Sequence, residues 1–300
     1  MTRRHFARVL LAGGAAGTLL LFGLRRARRR GVTAVDTHAH VFVRGLALSE
    51  GRRYAPDYDA PLRDYLKQLD AHGISHGVLV QPSFLGTDNS FLLAALREAP
   101  ERLRGIAVVD PTVSSAALDG LAAGGVVGIR LNLLGRPIPD FGEEPWRPLL
   151  RNLARLRWQV EVHREGRDLP TIVGPLLDAG LNVVVDHFGR PDPALGTEDP
   201  GFRYLLSPAV RDTRRLWVKL SGAYRNGANG RGDAIARAAA PLLLEALGPE
   251  RLLWGSDWPH TQFEREVDYG KARAALDAWV GNPEQRETIL GRAPSALFRF

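Results

Sequence analysis

The sequence contains no cysteine, which excludes disulfides, thiolate nucleophiles and cysteine-bound zinc or iron–sulfur centres. It also lacks internal repeats, low-complexity tracts and a glycine-rich phosphate loop after an early strand. Without that loop, a doubly wound nucleotide-binding sheet is the weaker of two α/β hypotheses. The 300 residues, 45% of them hydrophobic, suffice for one large domain with an extensive core.

Acidic residues are missing from residues 1–30, which hold eight of the 40 basic residues, all of them arginines. Subtracting these eight leaves 32 basic against 33 acidic residues, so residues 31–300 carry a net charge of −1. No stripe of lysine and arginine with interleaved aromatic residues occurs there, which excludes a nucleic-acid partner.

Residues 1–30 have the pattern of a targeting segment. The stretch Arg3-Arg4-His5-Phe6 precedes an apolar run, Val9–Leu24, and resembles a twin-arginine export signal. We therefore expect a signal or anchor at 1–30 and a periplasmic or otherwise exported protein. The apolar run of about 16 residues is short for a membrane span, so membrane contact is expected only through an uncleaved leader. If the start codon is mis-assigned, the protein is instead cytoplasmic.

Residues 31–300 alternate β-rich runs with segments of helical period. The predicted strands are Val32–Thr37, Gly77–Gln81, Arg104–Val109, Gly125–Leu131, Trp158–His163, Leu181–His187, Leu216–Ser221 and Arg251–Ser256. The predicted helices are Pro61–His72, Ser90–Ala99, Ser115–Ala123, Glu144–Leu156, Pro170–Ala179, Arg203–Arg214, Asp233–Leu247 and Glu264–Val280. Eight such units predict a single-domain α/β protein, a (β/α)₈ TIM barrel, with Val43–Asp59 and Arg190–Gly201 as active-site loops.

Polar side chains collect at the predicted carboxyl ends of the strands, where such barrels place their active sites. Five of the eight histidines fall there, namely His38, His40, His163, His187 and His260. His38, His40, a later histidine and Asp257 could hold one divalent ion, with zinc the best match to imidazole and carboxylate ligands. Asp257 could instead act as a general base that takes the proton from an attacking water.

Arginines from different strands also meet at this end. Arg130, Arg136 and Arg225 need counter-charges, which either nearby acids or a substrate carboxylate can supply. We assign them to substrate binding, together with the strand-end residues Ser83 and Tyr224.

Three motifs resemble the amidohydrolase superfamily, and most closely its lactonase-type amidohydrolase-2 branch. They are His38-Ala39-His40, Asp186-His187-Phe188-Gly189 and Trp254-Gly255-Ser256-Asp257-Trp258-Pro259. Within the branch, the second-, fourth- and seventh-strand segments resemble the 2-pyrone-4,6-dicarboxylate hydrolase family and related lactonases. These segments are Gln81-Pro82-Ser83, Arg130-Leu131-Asn132 with Arg136, and Ser221-Gly222 with Arg225.

The resemblance implies that Asp257 activates water while His38, His40 and His187 polarise a lactone carbonyl without a metal. His163 departs from it, because metal-holding relatives carry a histidine on the fifth strand where the pyrone hydrolases are expected to have tyrosine. The resemblance therefore leaves two states open, metal-free catalysis or one ion held by His38, His40, His163 and Asp257.

The predicted function is a carboxylic ester hydrolase (EC 3.1.1 type) that opens a small carboxylated lactone or activated ester. Two other hypotheses remain: a metal-dependent decarboxylase of the same fold, and an exported protein that binds an acidic metabolite without catalysis.

Overall fold

The protein forms a barrel of eight parallel strands in a computed structural model that describes residues 31–300. Each strand pairs with the next in chain order, as predicted. The strands are β1 (Val35–Ala39), β2 (His76–Val80), β3 (Leu103–Ala107), β4 (Val126–Asn132), β5 (Gln159–His163), β6 (Asn182–Val185), β7 (Leu216–Leu220) and β8 (Leu252–Trp254). The predicted export leader at 1–30 lies outside the described residues and stays a prediction.

Helices alternate with the strands and cover the outside of the barrel. They are α1 (Leu62–Ala71), α2 (Ser90–Glu98), α3 (Ser115–Ala123), α4 (Trp146–Leu156), α5 (Leu169–Asp178), α6 (Pro200–Leu205), α7 (Pro208–Arg211), α8 (Arg231–Leu247), α9 (Tyr269–Trp279), α10 (Pro283–Glu287) and α11 (Ala293–Phe298). A π-helical turn, Thr288–Arg292, joins the last two. Within residues 31–300, no helix combines the length and hydropathy that a membrane crossing requires.

Two helix predictions are wrong in their bounds. The predicted helix Arg203–Arg214 is divided into α6 and α7, because Pro208 starts a new helix at its first position. The helix predicted from Glu264 begins only at Tyr269, where the side chain of Asp268 caps it by accepting from the Lys271 amide.

The core lies between the strands and the helices. Val183, Val184 and Val185 of β6 are buried as a continuous apolar run, as expected for a parallel strand covered on both faces. A second, smaller apolar cluster contains residues of six strands and includes Leu297 and Phe298 of α11. Each fully buried side chain of this kind contributes about 1.5–3 kcal/mol through removal of apolar surface from water.

The barrel is closed between β8 and β1 by residues that follow or end these strands. The Asp257 amide donates to the His38 carbonyl (2.7 Å), and the His40 amide donates to the Trp258 carbonyl (2.8 Å). Asp36 reinforces this junction by accepting from the Ser256 amide (2.8 Å) and hydroxyl (2.6 Å). The junction therefore fixes three predicted active-site residues, His38, His40 and Asp257, against one another.

Candidate active site

A cavity of about 170 Å³ opens at the carboxyl ends of the strands. Its lining combines residues that the sequence analysis placed at the strand ends with others that come from loops. The lining includes His40, Ser83, Arg130, Asn132, His163, His187, Arg225 and Asp257, with Arg53, Tyr54 and Arg190 from loops.

Asp257 is buried, and its two carboxylate oxygens have different surroundings. Oδ2 accepts from Arg225 Nε (2.5 Å) and from the Tyr224 hydroxyl (2.7 Å). Oδ1 has no hydrogen-bond partner among residues 31–300 and lies 3.7 Å from His40 Nε2 and 3.9 Å from His38 Nε2. Although burial alone would raise the pKa of Asp257, the charge of Arg225 holds it well below its usual value. Asp257 is thus an ionised carboxylate with one free oxygen.

The backbone around this carboxylate is strained. Asp257 and His187 both have positive φ, 61° and 52°, which non-glycine residues rarely adopt and which is common at functional sites. Gly222 follows β7 with φ of +52°, and a Cβ there would lie 2.7 Å from His187 Nδ1 and 3.0 Å from Asp257 Oδ2. Only glycine therefore lets the chain pass behind both residues and carry Tyr224 and Arg225 to Asp257.

Four imidazoles form a row beside the carboxylate. His38 lies 5.0 Å from His40 and 4.9 Å from His187 between ring centroids, and His187 lies 5.4 Å from His163. Burial lowers the pKa of His40 to about 4 and that of His187 to about 3. It also brings the pKa of His38 and His163 well below the usual range, so all four rings are neutral near pH 7.

Hydrogen bonds indicate which ring nitrogens carry protons. His40 Nδ1 lies 2.7 Å from the Val80 carbonyl, which can only accept, so the lone pair of neutral His40 is on Nε2. His163 Nδ1 likewise faces the Asn132 amide oxygen at 3.3 Å. His187 Nδ1 contacts the Ser221 hydroxyl (2.9 Å), which can act in either direction. His40 Nε2 is therefore an acceptor that faces the free oxygen of Asp257.

His38 has two neighbours at Nδ1, and each favours a different tautomer of the neutral ring. Lys219 Nζ lies 3.0 Å away and can only donate, which leaves the proton of neutral His38 on Nε2. Asp186 Oδ1 lies 3.4 Å away and can only accept, which would leave a lone pair on Nε2. The shorter contact is the one to Lys219.

Arg130 is buried and its counter-charge is a protein carboxylate. Its Nε and Nη2 lie 3.0 and 2.8 Å from Asp186 Oδ2. The charges of Arg130 and Lys219 hold the pKa of Asp186 well below its usual value, although burial acts in the opposite direction. Arg130 still lines the cavity, so it can also face a ligand.

The structure places several predicted residues elsewhere. Arg136 is exposed and lines an adjoining cavity that shares Arg53, Ser83 and Arg130 with the first one. Tyr224 turns its hydroxyl to Asp257 rather than to the cavity. His260 lies behind Tyr224 at 6.2 Å between ring centroids, so four of the five strand-end histidines form the row.

Two arginines that line the cavity, Arg53 and Arg190, were not predicted from the sequence to bind substrate. Arg53 lies in the predicted active-site loop after β1, and Nη2 contacts Asn132 Oδ1 at 3.5 Å. Arg190 follows β6, and its buried Nε has no hydrogen-bond partner in the part of the chain that the structure describes. Burial lowers the pKa of Arg190 to about 10, with Arg225 acting in the same direction. Both arginines belong to the predicted active-site loops, Val43–Asp59 and Arg190–Gly201, but no short-range signal marked either of them as a binding residue.

Two sets of buried side chains have ligand atoms within 4.8 Å of one another and could hold a metal ion. They are His38, His187 and Asp257, and His38, Glu161 and Asp186. The first set replaces His40 and His163 of the predicted set with His187. Its donors fit a single divalent ion, since His38 Nε2 and Asp257 Oδ1 are buried and unpartnered within the described residues. His38 could contribute only when its Nδ1 pairs with Asp186, because otherwise Nε2 carries a proton.

The fold, the strand-end histidines and the eighth-strand aspartate define a member of the amidohydrolases. The chain belongs to this family, whose model, described as Amidohydrolase, matches residues 35–300.

The particular proteins it resembles are named for lactone substrates. The chain is 31% identical over 271 residues to the 4-sulfomuconolactone hydrolase of Hydrogenophaga intermedia, covering 88% of each chain. It is 32% identical over 237 residues to the 2-pyrone-4,6-dicarboxylate hydrolase of Comamonas testosteroni, covering 76% of this chain and 77% of that one. A crystal structure from Acinetobacter baumannii, described as a probable 2-pyrone-4,6-dicarboxylic acid hydrolase with citric acid bound, is 42% identical. Its TM-score is 0.86, with 89% of this chain and 100% of that one covered.

Proposed function

We propose that the protein hydrolyses a small lactone that carries at least one anionic group, with Asp257 as the general base. The observation that carries the proposal is the asymmetry of the Asp257 carboxylate. Arg225 and Tyr224 saturate one oxygen, and the other is ionised, free and directed at the imidazole row. The similarity to hydrolases of 4-sulfomuconolactone and 2-pyrone-4,6-dicarboxylate supports lactone hydrolysis as the class of reaction.

The attacking water is assigned to the gap between Asp257 Oδ1 and His40 Nε2, which are 3.7 Å apart. Both atoms are acceptors, so a water that donates to both satisfies two lone pairs that otherwise face each other. As the water oxygen bonds to the lactone carbon, its proton passes to Asp257 Oδ1. The ring C–O bond then breaks, and the protonated Asp257 can return that proton to the leaving oxygen.

The lactone carbonyl oxygen is assigned to His187, which lines the cavity, and to His38, which is buried beside it at 4.9 Å between ring centroids. A neutral His38 held by Lys219 presents an N–H at Nε2, which is the donor that a developing oxyanion requires. Because burial keeps these rings neutral, they stabilise the charge by hydrogen bonding and do not act as acids.

The anionic groups of the substrate are assigned to the cavity's arginines. Arg225 and Arg130 are already paired with Asp257 and Asp186. Arg190 is half-buried, and its buried Nε has no described hydrogen-bond partner, so a substrate anion can accept a hydrogen bond from it. Arg53, Arg130 and Ser83 line the same cavity and can bind a second anionic group. The citric acid in the Acinetobacter baumannii structure shows that this relative binds a polycarboxylate.

If a metal ion is held, His38, His187 and Asp257 are the residues that would bind it. A divalent ion there would lower the pKa of a bound water toward neutrality. The decarboxylase hypothesis is the weaker one, since the relatives above 30% identity are named as lactone hydrolases.

The experiment is hydrolysis in a pH-stat, where each opened ring releases one proton. We expect 2-pyrone-4,6-dicarboxylate or 4-sulfomuconolactone to have a kcat/KM at least about 100-fold above that of an uncharged lactone. One charge-assisted hydrogen bond contributes about 1.5–3 kcal/mol, or a factor of roughly 10 to 150. Equal rates for charged and uncharged lactones, or release of carbon dioxide instead of acid, would refute the proposal. Repeating the assay with a chelator tests the metal, and the Asp257→Asn variant controls for contaminating hydrolases.

A further inference from the structure

Lys219 of β7 lies in the interior of the barrel, where a charged side chain is unusual. It has no exposed surface, and neither does Glu161 of β5. An isolated buried ammonium would be strongly destabilising, so its partners must supply compensating charge. They do, because Lys219 Nζ lies 2.7 Å from Glu161 Oε2 and 3.4 Å from Asp186 Oδ1.

The same nitrogen lies 3.0 Å from His38 Nδ1. Its three neighbours, His38, Glu161 and Asp186, are the residues of the second set whose ligand atoms could hold a metal ion. The lysine nitrogen thus sits at the centre of a histidine and two carboxylates, which is where a divalent cation would bind.

We propose that the Lys219 ammonium takes the place of a divalent cation in this buried cluster. The charges support it: Asp186 is ionised, Glu161, whose pKa burial raises to about 7, contributes at most one further negative charge, and Lys219 and Arg130 contribute two positive ones. No negative charge is left over in the cluster to attract a metal ion. Because the Lys219 ammonium is covalently part of the chain, the cluster does not depend on binding a metal ion from solution.

The same contact also makes Lys219 a positioning residue for His38 in the candidate active site. By donating to His38 Nδ1, Lys219 keeps the proton of His38 on Nε2, the nitrogen that faces Asp257 at 3.9 Å. Without Lys219, the remaining neighbour of Nδ1 is Asp186 Oδ1, which accepts. The proton would then move to Nδ1, and Nε2 would present a lone pair to Asp257 Oδ1.

The test compares Lys219→Ala, which removes the charge and opens space, with Lys219→Met, which removes the charge but fills the space. Each full-length protein is titrated with Co²⁺ and followed by visible absorption and calorimetry. We expect Lys219→Ala to bind one equivalent of Co²⁺ more than Lys219→Met, whose side chain fills the cluster, because any ion held by His38, His187 and Asp257 is common to both variants. Adding Glu161→Gln to Lys219→Ala should abolish the extra equivalent, because Glu161 belongs only to this cluster. A folded Lys219→Ala variant that gains no Co²⁺ would overturn the proposal.

Two measurements keep the test decisive if Lys219→Ala fails to fold. Crystals of the wild type grown with excess Zn²⁺ should show no anomalous density within bonding distance of Glu161 and Asp186, and density there would overturn the proposal. In ¹⁵N NMR, the His38 proton should be on Nε2 in the wild type and on Nδ1 in Lys219→Met, whereas an unchanged tautomer would refute the positioning role. Neither readout uses a substrate, so failure here leaves lactone hydrolysis standing.

Discussion

Replacing Asp257 by asparagine should separate catalysis from ligand binding. The amide oxygen of the introduced asparagine would have to face Arg225 and Tyr224, because both of these groups donate. Its NH₂ group then takes the position of Oδ1 and offers a donor where the water needs an acceptor. Loss of a general base lowers the rate by a factor of about 10²–10⁴, or roughly 3–5 kcal/mol of transition-state stabilisation.

Ligand affinity should change in the opposite direction. The substitution removes one negative charge from the cavity and leaves Arg225 without its counter-charge, so citrate should bind at least as tightly, by up to about tenfold. The free energy of unfolding should fall by about 3 kcal/mol, at the low end for a broken buried ion pair. The loss is limited because Arg225 keeps its ring contacts with Tyr224 and Phe263, both at 5.3 Å.

The assays are proton release for kcat, calorimetry with citrate for affinity and thermal melting for stability. Asp119→Asn on the exposed side of α3 is the matched control, since it removes an exposed ion pair with Arg155 (2.8 Å) far from the cavity. The control should leave all three quantities close to the wild-type values. An Asp257→Asn variant with more than a tenth of the wild-type kcat would refute the assignment of Asp257 as the base.

Two further predictions concern Arg190 and pH. Arg190→Met should raise KM for an anionic lactone by about tenfold or more with little change in kcat. The control variant Arg203→Met, on the exposed side of α6, should change neither quantity. If Arg190→Met lowers kcat and leaves KM unchanged, Arg190 does not bind the substrate. Since the pKa of His40 is lowered to about 4 and that of His187 to about 3, protonation of these two rings should not lower kcat/KM between pH 8 and about pH 5. The free energy of unfolding should instead decrease as pH falls below about 6.5, where unfolded histidines take up protons that the folded ones refuse. A midpoint near pH 6.5 in the rate profile would show that an ordinary histidine controls catalysis.

The barrel could be predicted because its signal is local. Short β-rich runs, such as Val183-Val184-Val185, alternate along the chain with segments of helical pattern. The errors came from details that the average pattern hides, such as Pro208 starting a second helix within the predicted one.

The site could be predicted only in part, because strand-end position says which groups meet but not how they pair. The position of Asp257 was evident, but its ion pair with Arg225 joins residues 32 positions apart. The contacts of Lys219 with Glu161 and His38 depend on three strands packing around one point. Arg53 comes from a long loop whose path no short-range pattern specifies.

The junction between β8 and β1 determines how the protein should lose activity when it begins to unfold. β8 has three residues, and the backbone bonds that complete the closure are those of His38, His40, Asp257 and Trp258. Opening this seam by local unfolding would separate Asp257 from the imidazoles while the other seven strand pairs stay intact. Mild denaturant should therefore inactivate the protein before its circular dichroism changes, and amide exchange should be fastest at this seam among the strand pairs.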